Sequence, residues 1–142
     1  MFEKEKEKEK NLSKLQANEG RIAITTDMST ADHQNRVYMA VTSHYIADEW
    51  TLQKRVIRFE YVPTPHTSDV IAASLMKFFL DWNINRKLTA ITIDNCSVND
   101  GVVELLVDRL GLDTLLLNGA FFHMHCCANI LNLIVKDGLS LL

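Results

Sequence analysis

The sequence predicts an α/β domain built on a mixed five-stranded sheet, and three observations predict it. Two short β-branched runs, Ile22-Ala23-Ile24-Thr25-Thr26 and Ala90-Ile91-Thr92-Ile93, each close on an aspartate, Asp27 and Asp94. Two longer stretches between them, Arg36 to Ile46 and Trp50 to Val62, are rich in β-branched and aromatic residues. Beyond Pro65 the pattern changes, and helical spacings alternate with short apolar runs. A β-branched run fits the middle of a sheet, whereas a core cannot hold an unpaired carboxylate, so each run should end where the sheet meets water. Two such strands, parallel and adjacent, would bring Asp27 and Asp94 together at one sheet end. Paired carboxylates there suit a divalent cation.

Composition bounds the possibilities. A chain of 142 residues with 47% hydrophobic content can build one core and is too short for two ordinary domains. Fifteen basic residues against 18 acidic ones give a net charge of −3, so charge count alone provides no strongly basic surface for a phosphate backbone. Three cysteines, two of them the adjacent Cys126 and Cys127, fit a reducing compartment better than a disulfide framework. Met1 is followed by charge rather than by a signal-peptide core, and no apolar run approaches membrane-spanning length, so a soluble protein without membrane contact is expected.

The elements follow in order. Residues 1–20 read as a charged helical or linker segment. The alternation of Glu and Lys from Glu3 to Lys10 puts opposite charges three apart and like charges four apart, so the pairs largely cancel, and only Leu12 and Leu15 offer docking points. The domain proper is expected over 21–142. After the first strand, Ser29 to Asn35 reads as a turn, Arg36 to Ile46 as a strand, Ala47-Asp48-Glu49 as a turn and Trp50 to Val62 as a third strand. Short links make these three an antiparallel meander, which Pro63 and Pro65 stop. Thr67 or Ser68 can cap a helix in which Ile71, Leu75, Phe79 and Trp82 recur at helical spacing, with Asp69 in its first turn. Leu88 to Ile93 is the fourth strand. Ser97 can cap a second core helix carrying Val103, Leu106, Val107 and Leu110, with Gly111 at its stop. Phe121 to His125 reads as a fifth strand, and Cys126 to Asp137 as an amphipathic helix ended by Gly138. Trp50 and Trp82 are expected to be core or interface residues.

Three strands, helix, strand, helix, strand, helix, with acids closing the first and fourth strands, is the layout of a ribonuclease H-like fold. Several phrases then add a resemblance. Thr25-Thr26-Asp27-Met28, Tyr38-Met39-Ala40-Val41-Thr42, Tyr61-Val62-Pro63 with Pro65-His66-Thr67, Asp94 through Asp100, and His123-Met124 followed by Cys126-Cys127-Ala128 and Ile130 to Gly138 are similar to the catalytic domain of hAT-superfamily transposases. The resemblance extends to the plant BED-zinc-finger, RICESLEEPER-like members, over roughly Gly20 to Leu139. The resemblance implies a DNA-cutting ancestry, a nuclear location, DNA and other transposase-like chains as partners, and Mg²⁺ or Mn²⁺ held by Asp27 as the first acid and Asp94 as the second.

The same resemblance marks departures. The family takes its third acid, a glutamate, from a helix far downstream of an inserted helical region, and the 142 residues end before one. The domain is therefore expected to be truncated at its carboxy-terminal end and catalytically inactive, since Asp100, Asp108 and Asp137 do not stand at that glutamate's place. The family's tryptophan two residues after the first acid is Ser29 here, which offers no π-face for a base. Its Cys-x-x-His at the last helix keeps Cys126, but Asn129 replaces the histidine and loses metal affinity. Ser29, Cys126 and Asn129 are accordingly the candidate DNA contacts. No zinc is expected at His123, His125, Cys126 and Cys127, which lack spaced two-residue ligand motifs. Asp27 and Asp94 have a plainer reading as turn caps, with Asp94 accepting from the amides of Cys96 or Ser97. Two other functions stay open: a protein-interaction module of a domesticated transposase, and an active metal-dependent nuclease completed in trans.

Overall fold

The computed structural model describes residues 2–31, 36–94 and 97–140. Its elements are α1 (Phe2–Ala17), β1 (Ile22–Ala31), β2 (Arg36–Ile46), β3 (Leu52–Val62), α2 (Ser68–Asp81), β4 (Leu88–Ile93), α3 (Ser97–Leu110), a 3₁₀ turn (Leu116–Gly119), β5 (His123–His125) and α4 (Cys127–Ser140). The five strands lie in the order β3-β2-β1-β4-β5. β1, β2 and β3 form the antiparallel meander, while β4 runs parallel to β1 and β5 parallel to β4. The α/β class and the mixed five-stranded sheet stand as read from the sequence.

The core lies on one face of this sheet. Ile22 and Ile24 of β1, Met39 and Val41 of β2 and Ile91 of β4 are almost wholly buried there. Alternation along a strand sends every second side chain to the same face, so one register error would turn this set outward. Ile71, Leu75, Phe78 and Phe79 close the core from α2, and Val102 and Leu106 from α3. At the start of these two helices Ser68 Oγ donates to the Val98 carbonyl at 2.8 Å, bridging them instead of capping α2. Thr67 is the α2 N-cap by its extended backbone, without a side-chain cap bond. The bridge depends on Gly101, where a Cβ would come within 2.6 Å of Ser68 Oγ. α3 ends at Gly111, whose φ of +81° falls in the left-handed region that glycine adopts freely. The side chain of Ser97, the expected cap of α3, and the Asn95-Cys96 pair lie outside the described residues.

α1 is more than a spacer. Leu15 is 1% exposed and belongs to the core cluster. Lys87 Nζ donates to the carbonyls of Leu15, Gln16 and Asn18 at 3.3, 2.8 and 2.7 Å. The last carbonyls of a helix lack partners within it, and a cation there complements the helix dipole, so Lys87 ties the end of α1 to the loop before β4.

Four boundaries differ from expectation. β1 continues past Asp27 to Ala31 because β2 is long enough to keep pairing it, from Asp27↔Ala40 to Ala31↔Arg36, so Asp27 sits within a strand and not at its end. Ser29 is therefore a strand residue; of the predicted turn, residues 32–35 lie outside the described residues. Trp50 precedes β3 in a tight turn, with φ of +57° and its amide donating to the Ala47 carbonyl, and is 90% exposed. It is no core residue, whereas Trp82 is buried. β5 is only three residues long. α4 runs through Gly138 to Ser140, because a glycine in a solvated helix weakens the helix without ending it.

Leu15→Ala tests the docking of α1. Loss of a fully buried leucine is expected to cost about 2–5 kcal/mol in denaturant unfolding; a spacer helix would show almost no change.

Candidate metal centre

Asp27 and Asp94 are brought level by the sheet. Ala23, Ile24 and Thr25 of β1 stand opposite Ala90, Ile91 and Thr92 of β4. Two residues further along each parallel chain come Asp27 and Asp94, on strands whose spacing is roughly 5 Å. The next pair follows the same rule. Ile93 stands opposite His125, so Asp94 and Cys126 leave β4 and β5 at the same end of the sheet. Asn129 lies one helical turn later in α4, and Ser29 two residues past Asp27 in β1.

The two acids differ in surroundings. Asp27 is exposed, on the sheet face opposite the core, since its neighbours Thr26 and Ile24 point inward. Asp94 is half-buried, and the amide of the buried Asn99 donates both to its Oδ1 and, at 3.0 Å, to its carbonyl. Asn99 thus fixes the position of Asp94 from the first turn of α3. The sequence contained Asn99 five residues after the acid, but nothing in composition or spacing distinguished it from a surface asparagine. The bond anticipated from the Cys96 amide lies outside the described residues. Next to Asp27, Thr26 Oγ1 is buried and has no hydrogen-bond partner in the structure.

Two oxygen-donor carboxylates match hard cations such as Mg²⁺ or Mn²⁺ in donor type. Asp27 and Asp94 are the residues that would hold such an ion, with water completing its sphere. Among the described residues no group of three or more His, Cys, Asp or Glu side chains converges on a point that holds a metal. Asp108 lines a groove on the outer side of α3 with Val103, Val107 and Leu112, away from the acids, and Asp137 is exposed on α4. The 670 Å³ groove between α1 and β3, lined by residues such as Lys8, Asn11, Arg58 and Trp82, also lies apart from them.

Histidines also lie on β5 and on the open face of the sheet. His123 and His125 share the face of Ile91 and Ile93, with ring centroids 4.3 Å apart. Burial holds His123 below the usual imidazole range, His125 adds to this, and Asp100 opposes it. On the open face, Thr25 Oγ1 and His44 Nε2 are 3.0 Å apart. Burial lowers the pKa of His44 and the nearby Lys54 lowers it further. This pair went unread in the sequence because cross-strand neighbours 19 residues apart leave no local signal.

Residues 25–121 match the family described as the ZBED1 RNase-like domain. The chain belongs to that family. The chain is also similar to a putative AC transposase of Zea mays, 42% identical over 139 residues, which cover 96% of this chain and 17% of that protein. A rice protein named zinc finger BED domain-containing protein RICESLEEPER 2 is 33% identical over 135 residues, 94% of this chain and 19% of its own length. The Arabidopsis thaliana protein DAYSLEEPER is 23% identical over 134 residues, again 19% of its length. The chain therefore spans about a fifth or less of the relatives it matches. Membership in the ZBED1 RNase-like family, with these relatives, agrees with the hAT-transposase resemblance of the motifs, and the observed sheet order is consistent with an RNase-like domain. Among the described residues no helix is long and apolar enough to cross a membrane.

Two measurements check this geometry. Asn99→Ala removes both bonds to Asp94 and is expected to cost about 1–3 kcal/mol of stability, read by denaturant unfolding. An NMR titration should place the His44 midpoint below the ordinary 6.5, and Lys54→Gln should move it upward. Because the folded protein protonates His44 less readily than the unfolded chain does, the histidine removes stability as pH falls below 6.5, and the loss levels off under the lowered midpoint.

Proposed function

We propose that this chain is a transposase-derived, DNA-associating nuclear domain in which Asp27 and Asp94 hold one Mg²⁺ or Mn²⁺ and do not cleave DNA unaided. The observation that supports the reading is the parallel register Thr25↔Thr92, from which each acid lies two residues further along its own chain. Its relatives, a putative transposase among them, support the derivation.

Phosphodiester cleavage by paired ions needs carboxylates shared between both metals and a further ligand for the second. Asp27 and Asp94 are too few for that, and Asp94 gives Oδ1 to Asn99. A bound ion supplies positive charge toward a phosphate oxygen. The chain's own part is to present Asp27 to solvent, to hold Asp94 through Asn99, and to admit a backbone at this sheet end. With a net charge of −3, contact with DNA rests on local charge, so it is weak and sensitive to salt. Another transposase-like chain that contributed the third acid would convert the same pair into an active nuclease.

A second reading, a protein-interaction module, is favoured by α4. None of its residues is buried, and Leu131, Ile134, Val135 and Leu139 are exposed on a strongly amphipathic helix.

The test combines plasmid nicking with binding. Supercoiled plasmid should remain intact with Mg²⁺ or Mn²⁺, Mn²⁺ binding seen by electron paramagnetic resonance should be lost in Asp27→Ala, and duplex binding by fluorescence anisotropy should fall as salt rises. Metal-dependent nicking that Asp27→Ala abolishes would overturn the inactive assignment. Absence of DNA binding even at low salt would leave the interaction module.

A further inference from the structure

We infer that the open face of the sheet beside Asp27 carries a stacking platform for unpaired nucleobases, made by Tyr38, Phe59 and Tyr61. Residues directly opposite one another in a sheet share a face. The register sets Asp27 opposite Ala40 and Ala40 opposite Phe59, so Phe59 stands in the row of the acid, two strands away. The adjacent row is Ser29, Tyr38 and Tyr61. All of these lie on the face away from the core.

The rings are arranged as a surface. Tyr38 and Phe59 stack with centroids 5.4 Å apart and planes within 2°, and Tyr61 meets Tyr38 edge-on at 6.0 Å and 65°. Phe59 is nevertheless 66% exposed and Tyr61 46% exposed. Aromatic side chains of this size usually go to a core, where they bury most of their area. Here they pack against one another and still leave much of Phe59 and Tyr61 exposed.

A base fits this patch better than a generic apolar partner on two grounds. Each exposed ring offers a π-face, which every base can stack on regardless of sequence. Cations stand where the attached backbone would run: Arg36 is exposed on the same strand and face, two residues from Tyr38, and Lys54 is exposed on the same face of β3. Paired bases are stacked already and cannot offer their faces, so the platform selects single-stranded or locally opened DNA. The inference rests on the DNA-associating reading above and narrows it to that substrate class.

The test uses fluorescein-labelled oligo(dT) and a labelled duplex of equal length, in EDTA, so that the ion at Asp27 plays no part. The full chain should bind the single strand more tightly than the duplex. Phe59→Ala and Tyr61→Ala should each weaken single-strand binding by about tenfold, leave duplex binding unchanged and keep the wild-type melting curve, while Phe59→Trp should retain binding. Equal binding of oligo(dT) by wild type and both alanine variants would overturn the inference, as would a preference for the duplex, although DNA association itself would then stand. Sedimentation showing a dimer that Phe59→Ala dissolves, with no single-strand binding, would also overturn it and make the face an interface between copies.

Discussion

The parallel pairing of β1 with β4 is the constraint on which the rest of this structure depends. Antiparallel strands need only a turn between them, but parallel neighbours require the chain to return to the same end, and α2 supplies that return. Once Thr25 stands opposite Thr92, the positions of both acids, the burial of Ile24 and Ile91 and the exit of β4 toward α3 follow from the two-residue period of a strand. A slip of one residue would bury Asp27 and expose Ile24, a cost no surface contact offsets.

The sheet is strongly two-sided. On the helix side, Ile22, Met39, Phe78 and Phe79 are essentially fully buried. On the other side, small and hydroxyl-bearing residues such as Ala23, Thr25, Ala40 and Thr42 are half-buried, and β3 sets Val56 and Phe59 outward. Antiparallel sheets tolerate one wet face, usually a polar one. Here the face is instead aromatic toward β3 and carries the carboxylate of Asp27 on β1.

Much of this was legible in the sequence. The acids closing β-branched runs revealed β1 and β4, and the helical spacing of Ile71, Leu75 and Phe79 revealed α2, because burial leaves a period in the residues. The position of Asp27 inside β1 was not legible, since polar Ser29 and Thr30 read as a turn until β2 is seen to pair them. Trp50 was misread because an aromatic residue between strand-like neighbours carries no sign of a left-handed backbone. Asn99 and the Thr25–His44 pair escaped for the same reason: a hydrogen bond across the fold imposes no period on the chain. The docking of α1 lay in Lys87, a lysine in a polar loop whose value comes from three carbonyls some 70 residues earlier.

The most direct measurement is a set of NMR cross-strand contacts between β1 and β4. Nuclear Overhauser effects joining the backbones of Ala23 to Ala90 and Thr25 to Thr92, in a parallel pattern, are predicted. Contacts that place β4 against any strand other than β1 and β5, or in an antiparallel register, would contradict the meeting of Asp27 with Asp94.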